Sequence, residues 1–488
     1  MTNATSARAT RRPMRIALWL SVPGALVMAA APLRADDLRG ALVMAYNTNP
    51  TIQAARAAQR AVDETVPIAR AAALPSLSGT ATYSEFLKSS VSNPLAPERN
   101  LDLQANAGLP VYAGGAIKNS IRAAKTRVTA GQADLRGVES GVFSQATAAY
   151  MDVILAGAVV DLNRQNVQRL EVNLQATRDR FEIGDLTRTD VAQSQSRLAL
   201  ARGQTRSALA NLTAARERYI QVIGKAPEAL DAPPPLTGLP ASADDAVDTA
   251  LANNPDLLAA RQRSKAAGYD TAAAGAGRLP RISVFAGTDY SDYLGTNGIP
   301  GALQNTTSAT AGVRASIPLF QGGLPAAQRR QAQAREGATM EQEIGVERAV
   351  VANVRSAYAQ WQAALSLIDS SQTAVDAAQL SLEGVRAENT VGNRTILDIL
   401  NAENELLNAQ VQLVTARRNA YVAGFNLLAA TGKADADDLG LDGGALYDPG
   451  ANYARVKASI WDWSSDPAPT PHATRTVDTK AQDGSGNR

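Results

Sequence analysis

Gly184-Asp-Leu-Thr187-Arg-Thr-Asp190 returns 208 residues later as Gly392-Asn-Arg394-Thr395-Ile-Leu-Asp398. Both copies read Gly-x-x-Thr-x-x-Asp, and each sits inside a long proline-free stretch. Glycine tolerates the left-handed conformation that ends a helix. A threonine followed three residues on by an acid closes a capping box on the next helix. Each phrase is therefore expected to be the tip of a helical hairpin. Gly184 and Gly392 end one helix, Thr187 and Thr395 cap the next, and Asp190 and Asp398 complete the boxes.

Working outward from the tips, the two halves of the chain match. Asn49-Pro50 pairs with Asn254-Pro255, and Leu74-Pro75 with Leu279-Pro280, at an offset of 205. Beyond a three-residue insertion the offset is 208: Pro110–Gly115 with Pro318–Gly323, Ala149-Tyr150 with Ala357-Tyr358, Gly224-Lys225 with Gly432-Lys433. Such self-similarity identifies one supersecondary plan used twice. The first repeat spans 36–226 and the second 243–433, joined by a Pro-rich connector, 227–242. Residues 434–464 lose periodicity, and 465–488 are expected to be a disordered tail.

Each repeat predicts a helix of about 38 residues (Asp36–Ala73; Ala243–Leu279) with an Asn-Pro interruption. A β-hairpin follows, 76–112 in the first repeat and 281–320 in the second. Leu101, Leu103, Ala105, Ala107 and Leu109 alternate with Asp102, Gln104 and Asn106, and Ala309–Ile317 alternates likewise. Period two gives strands with one apolar and one polar face. Runs of this length, flanked by Tyr83, Phe86, Tyr112, Phe285, Tyr290 and Phe320, suit a membrane barrel with aromatic girdles. Four strands cannot close around a channel, so a barrel requires several chains. The long helices carry heptad seams: Val153, Val160, Val167, Leu174, Phe181 and, at the same offset, Trp361, Ile368, Val375, Leu382. The return helices run Val191, Leu198, Thr205, Leu212, Tyr219 and Ile399, Leu406, Leu413, Ala420, Leu427, with Thr205 and Ala420 as weak positions. Seven-residue spacing means left-handed coiled-coil packing.

Composition narrows the function. The chain has one histidine, His472, and no cysteine. With that histidine in a Pro-rich tail, metal sites of His and Cys, thiol chemistry and Ser-His triads are nearly excluded. No enzyme and no cofactor are expected. Residues 1–35 resemble an export signal: Arg8, Arg11, Arg12 and Arg15 precede the apolar run Ile16–Ala31. Removing its five arginines leaves 43 basic against 46 acidic residues, which suggests no nucleic-acid partner. No later stretch reaches 18 consecutive apolar residues, so no membrane-spanning helix is expected in the mature chain.

The combination resembles the TolC-type outer-membrane channels of Gram-negative bacteria. It rests on the duplication, the Gly-x-x-Thr-x-x-Asp tips, Asn-Pro-x-Leu/Ile-x-Ala-Ala-Arg (Asn49–Arg56; Asn254–Arg261), Leu-Pro before each hairpin, and Pro-Φ-aromatic-x-Gly-Gly after it. The resemblance runs from Asp36 to Lys433. It implies a mainly α fold with a membrane β-barrel contribution: a homotrimer with an α-barrel through the periplasm and a 12-stranded β-barrel in outer-membrane lipid. It also implies a periplasmic adaptor, an inner-membrane transporter, and service as exit duct for efflux or type I protein secretion. The absence of cysteine departs from the lipid-anchored efflux branch and leans toward type I secretion. The alternative is a non-channel coiled-coil structural or adaptor protein of the envelope.

For the tips, the resemblance implies a gate. Arg394 pairs with Asp190 and tethers the second hairpin to the first, while Asp398 rings the periplasmic constriction. Asn401 stands where many members add a second acid. Asn389 stands where an aromatic tether is frequent, its repeat partner being Phe181. The plainer reading is that Asp190 and Asp398 only cap helices and Arg394 is solvated. Capping does not explain why position 394 is Arg where its counterpart, Leu186, is apolar.

Overall fold

The computed structural model describes residues 37–88, 97–296, 301, 303–441 and 446–482. The expected signal segment lies outside them, as do parts of the loops 88–99 and 291–305 and the last six residues of the tail. The first repeat comprises α1 (Leu38–Thr48), α2 (Pro50–Asp63), α3 (Thr65–Ala71), β1 (Ser76–Glu85), β2 (Arg99–Ala113), α4 (Ala116–Glu182) and α5 (Arg188–Ile223). The second comprises α6 (Ala243–Asn253), α7 (Pro255–Gly275), β3 (Arg281–Asp292), β4 (Asn305–Ser316), α8 (Leu324–Thr390) and α9 (Ile396–Ala430). A further helix, α10 (Pro449–Val456), falls in the stretch expected to be irregular.

The first expected helix is three segments, not one interrupted helix. Its second break falls at Glu64, just ahead of Pro67, whose missing N–H interrupts the hydrogen-bond ladder. The Asn-Pro motifs do more than interrupt. Asn49 Oδ1 accepts from Thr51 N, capping α2, while its Nδ2 donates 2.8 Å to Val222 O at the end of α5. Asn254 does the same between α7 and α9: Oδ1 accepts from Asp256 N and Leu257 N, and Nδ2 donates 3.0 Å to Ala430 O. One side chain thus satisfies an orphan donor on one helix and an orphan carbonyl on another. Each motif splices a short helix end to end onto the return helix of its own repeat.

The sheet runs β1-β2-β3-β4, antiparallel throughout. In register, Leu77 lies opposite Ala107, Leu103 opposite Tyr290, and Val284 opposite Val313, so the apolar positions share one face. Asp102, Gln104, Asn106, Asp289, Ser308 and Arg314 fall on the other. Phe285, expected in an aromatic girdle, instead lies on the polar face with the Arg314 guanidinium 4.9 Å from its ring centroid. Gly312 opposite it leaves the ring room. Among the described residues β1 and β4 have open outer edges.

Below the sheet, α4 packs on α5 and α9, and α9 on α8, giving the order α5-α4-α9-α8. At 67 residues each, α4 and α8 extend ~100 Å at ~1.5 Å per residue. Val153, Val160, Leu174, Leu198, Leu212 and Tyr219 of the first seams are buried, as are Val375, Leu382 and the whole α9 seam including Ala420. Burying each Leu or Val contributes about 1.5–3 kcal/mol. Thr205, a weak position, turns its hydroxyl back onto Ala201 O, 2.9 Å. One 18-residue window of α4 is apolar enough to cross a membrane by length and composition, and 44% of it is buried within this chain. The helix lies between α5 and α9 and also packs on α7.

Residues 465–482, expected to be disordered, have no regular secondary structure but are tied down. Asp466 pairs with Arg455 at 2.9 Å, and Gln482 N donates 3.0 Å to Glu217 Oε1 on α5.

Candidate functional site: the two hairpin tips

Both tips are built alike. Gly184 (φ 83°) and Gly392 (φ 81°) take the left-handed conformation. Asp185 N donates to Arg180 O at 2.9 Å and Asn393 N to Glu388 O at 3.0 Å, closing the last turns of α4 and α8. Thr187 N and Thr395 N each donate 2.9 Å to Oδ2 of Asp190 and Asp398, and the acids' own N–H groups return 3.3 Å bonds to the threonine hydroxyls. Both capping boxes are complete. The Thr187 hydroxyl and N–H hold the Asp190 carboxyl below the usual range. The Thr395 N–H and hydroxyl do the same for Asp398, with a smaller pull from Arg394.

The differences begin in the loops. At the first tip Arg180, in the last turn of α4, pairs with Asp185 at 2.6 Å. At the second, Glu388 occupies the equivalent helical position and pairs with Arg394 at 2.7 Å. Each tip therefore closes with its own ion pair, and the polarity is reversed between copies. Arg180 suits the negative end of a helix; Glu388 does not, and Arg394 offsets it.

Within one chain Arg394 is thus not paired with Asp190. The capping box occupies Asp190, and Glu388, six residues before Arg394 on the same hairpin, takes its guanidinium. Asn389 donates 2.7 Å to Arg394 O, so it braces its own loop, and its Oδ1 lies 3.5 Å from Arg180 Nη1 of the first hairpin. Phe181 is 43% exposed, so its seam ends before the tip. Asn401 accepts 2.8 Å from Arg197 Nη2, joining α9 to α5.

Glu403 was not foreseen. It is 1% exposed and meets Arg386 Nη2 at 2.7 Å. Asn173 Nδ2 reaches both carboxylate oxygens at 2.9 Å from α4. Its sequence signal is an acid at the core position of a stripe that reads Ile399, Leu400, Glu403, Leu406, Leu407. With Leu170, Leu174, Leu198, Ala201 and Leu400 packed nearby, these contacts zip the two hairpins of a single chain together.

A family model described as outer membrane efflux protein matches residues 41–225 and 246–433. The chain is 34% identical to outer membrane efflux protein BepC of Brucella suis biovar 1 (strain 1330), over 91% of this chain and 95% of that protein. It is 29% identical to outer membrane protein TolC of Escherichia coli (strain K12), over 85% and 86%. The crystal structure of the Campylobacter jejuni CmeC outer membrane channel superposes with a TM-score of 0.72 at 15% identity, covering 86% of this chain and 89% of that one.

Proposed function

This chain belongs to the outer membrane efflux protein family, and we propose on that premise that three copies form one duct across the outer membrane and periplasm. The observation that carries the reading is the sheet. It has an apolar face and a polar one, and its β1 and β4 edges are open. An edge in a membrane must be paired, and β4 of one copy meeting β1 of the next closes a twelve-stranded barrel. The helical hairpins beneath continue it as a tunnel. A periplasmic adaptor seals the tunnel to an inner-membrane transporter, which supplies the energy. The cargo is a pump's small molecules, a polypeptide of type I secretion, or both.

At the periplasmic entrance, three Asp398 carboxylates form a ring that attracts cations. Asn401, a neutral amide that accepts from Arg197, adds no second acid there. The Arg394–Asp190 tether acts between neighbouring copies. What supports it is the opposite sign of the charges the two tips carry: Arg394 and Glu388 on the second hairpin, Asp185 and Arg180 on the first. Purified in detergent and added to planar bilayers, the protein is expected to give cation-preferring channels, and Asp398→Ala to lose most of that preference. A water-soluble protein without conductance would sink the channel; wild-type selectivity in Asp398→Ala would sink the ring alone.

A further inference from the structure

Ile460, Trp461 and Trp463 lie in the loop between α10 and the tail, and the two tryptophans are 71% and 85% exposed. Large apolar side chains clustered this way on a surface mark an interaction site. The loop is not loose. Arg455 grips Asp466 with two parallel bonds of 2.9 Å, closing its neck. Arg455 also donates to Asn452, which donates 2.8 Å to Asp63 of α2, and Arg70 of α3 donates to Lys457 O. Polar contacts fix the base, while the tip presents Ile460-Trp461-Asp462-Trp463.

Its location identifies the occupant. Ile460 and Trp461 line a cleft of about 1230 Å³ whose other wall is Ile68, Pro75, Ser76 and Leu77. Leu77 is the second residue of β1 and the first of the apolar sheet face, exposed like Ile68. The loop therefore continues the lipid-facing surface of the sheet at its periplasmic end. The exposed Tyr112, Leu319 and Phe320, where β2 and β4 leave the sheet, lie at that end too. Tryptophan is favoured at this level, because its ring is apolar and its indole N–H needs a polar partner.

We propose that residues 457–466 form an interfacial anchor that seats Trp461 and Trp463 among the phospholipid headgroups of the periplasm-facing leaflet of the outer membrane. The proposal rests on the sheet being the membrane-embedded part of the chain. The anchor fixes the height of the helical duct by a contact outside the barrel, and it holds α2 and α3 against the bilayer through Arg455, Asn452 and Arg70.

The chain has four tryptophans, Trp19, Trp361, Trp461 and Trp463, so fluorescence isolates the loop. A W19F/W361F variant in phosphatidylethanolamine–phosphatidylglycerol vesicles should emit to the blue of aqueous tryptophan. It should lose most of its signal to lipids brominated near the headgroup and resist aqueous iodide. W19F/W461F/W463F, reporting Trp361 on α8 alone, supplies the unquenched baseline. Red emission quenched by iodide would place the loop in water and overturn the proposal. Blue emission indifferent to brominated lipid would place it against protein and overturn it equally. Co-flotation with the vesicles reports the sheet separately, so failure of the anchor and failure of the barrel are distinguishable.

Discussion

Arg56–Glu139 and Arg261–Glu347 are one ion pair made twice, at equivalent places in the two repeats and with the same 3.9 Å separation. The side chains of the first are 7% and 9% exposed, those of the second 38% and 49%. The Arg56 guanidinium lies 4.2 Å from the Tyr46 ring centroid and 4.7 Å from that of Tyr447. Tyr447 belongs to the segment after the second repeat, as do Asp435 and Asp437 beside Glu139. Duplication preserved the geometry; the C-terminal segment covers only one copy and changes what that geometry does. The long helices differ in the same sense. Residues of α4 are buried along most of its length, whereas α8 buries only Val350, Val354, Ser371, Val375 and Leu382. Its exposed Met340, Ile344, Leu365, Leu367 and Leu380 are the surface a neighbouring copy would cover.

The sharpest way to separate the repeats is at their splices. Gly224 (φ 88°) and Gly432 (φ 75°) end the return helices where the Asn-Pro motifs join. A Cβ on Gly432 would stand 2.5 Å from the backbone oxygen of Asn253, which cannot rotate away. A Cβ on Gly224 would meet the Thr474 and Thr48 hydroxyls at 2.7 and 3.1 Å, side-chain atoms rather than backbone, although Thr48 Oγ1 is bonded to Met44 O and Ile223 O. Gly432→Ala is expected to cost about 3–5 kcal/mol from left-handed strain and overpacking together. Gly224→Ala should cost about 1–2 kcal/mol, chiefly the strain. Guanidinium unfolding midpoints in detergent measure both; equal losses would mean that the two joints are equivalent.

The ion pairs give the next largest effect. Burial drives the Glu139 carboxyl up to about 7, against the pull of Arg56. Asp435 and Asp437 push it further up, and Arg136 opposes them. Folded Glu139 therefore keeps a proton that the unfolded chain releases above about 4.5. The sign follows: the stability that Glu139 contributes is fully present below that value, is lost as pH rises toward 7, and is absent above it. A shift of this size corresponds to on the order of 3 kcal/mol. Glu139→Gln should flatten the unfolding midpoint between pH 4.5 and 7. Glu347→Gln, at an exposed pair worth ~0–1 kcal/mol, should leave the slope intact. If Glu139→Gln keeps the slope, another group is responsible for it.

These contrasts mark what a linear reading could reach. Period-seven seams, period-two strands and the tip phrases are local patterns, and Thr187, Asp190, Thr395 and Asp398 take the positions such patterns demand. Long-range roles leave no local trace. Asn49 and Asn254 read as breaks in a helix, because their second partners, Val222 and Ala430, are 173 and 176 residues away. Phe285 read as a girdle aromatic because Arg314, its partner across β3 and β4, is silent in sequence. The chain 465–482 read as disordered because its composition is polar, although Arg455 and Glu217 hold it by charge and hydrogen bonding. The Arg394–Asp190 tether is likewise absent within one chain, since Glu388 is nearer on the same hairpin.

The smallest expected difference lies at the tips themselves. Thr187→Ala and Thr395→Ala each remove a cap worth about 1 kcal/mol, and the matching bond lengths predict equal losses. The function of the two acids need not be equal. Both carboxyls are held low by threonine bonds, so each box is intact above the carboxyl's unfolded pKa and is lost as pH falls through the lower folded one. If Asp398 alone faces the duct, Thr395→Ala should move the acid limb of cation-selective conductance to higher pH. Thr187→Ala should leave that limb in place while lowering the unfolding midpoint by the same amount. Single-channel recordings across pH 3–6, paired with those midpoints, separate a cap that only ends a helix from one that also tunes an entrance. A shift of equal size in both variants would assign the two acids a common role and remove the functional asymmetry between the tips.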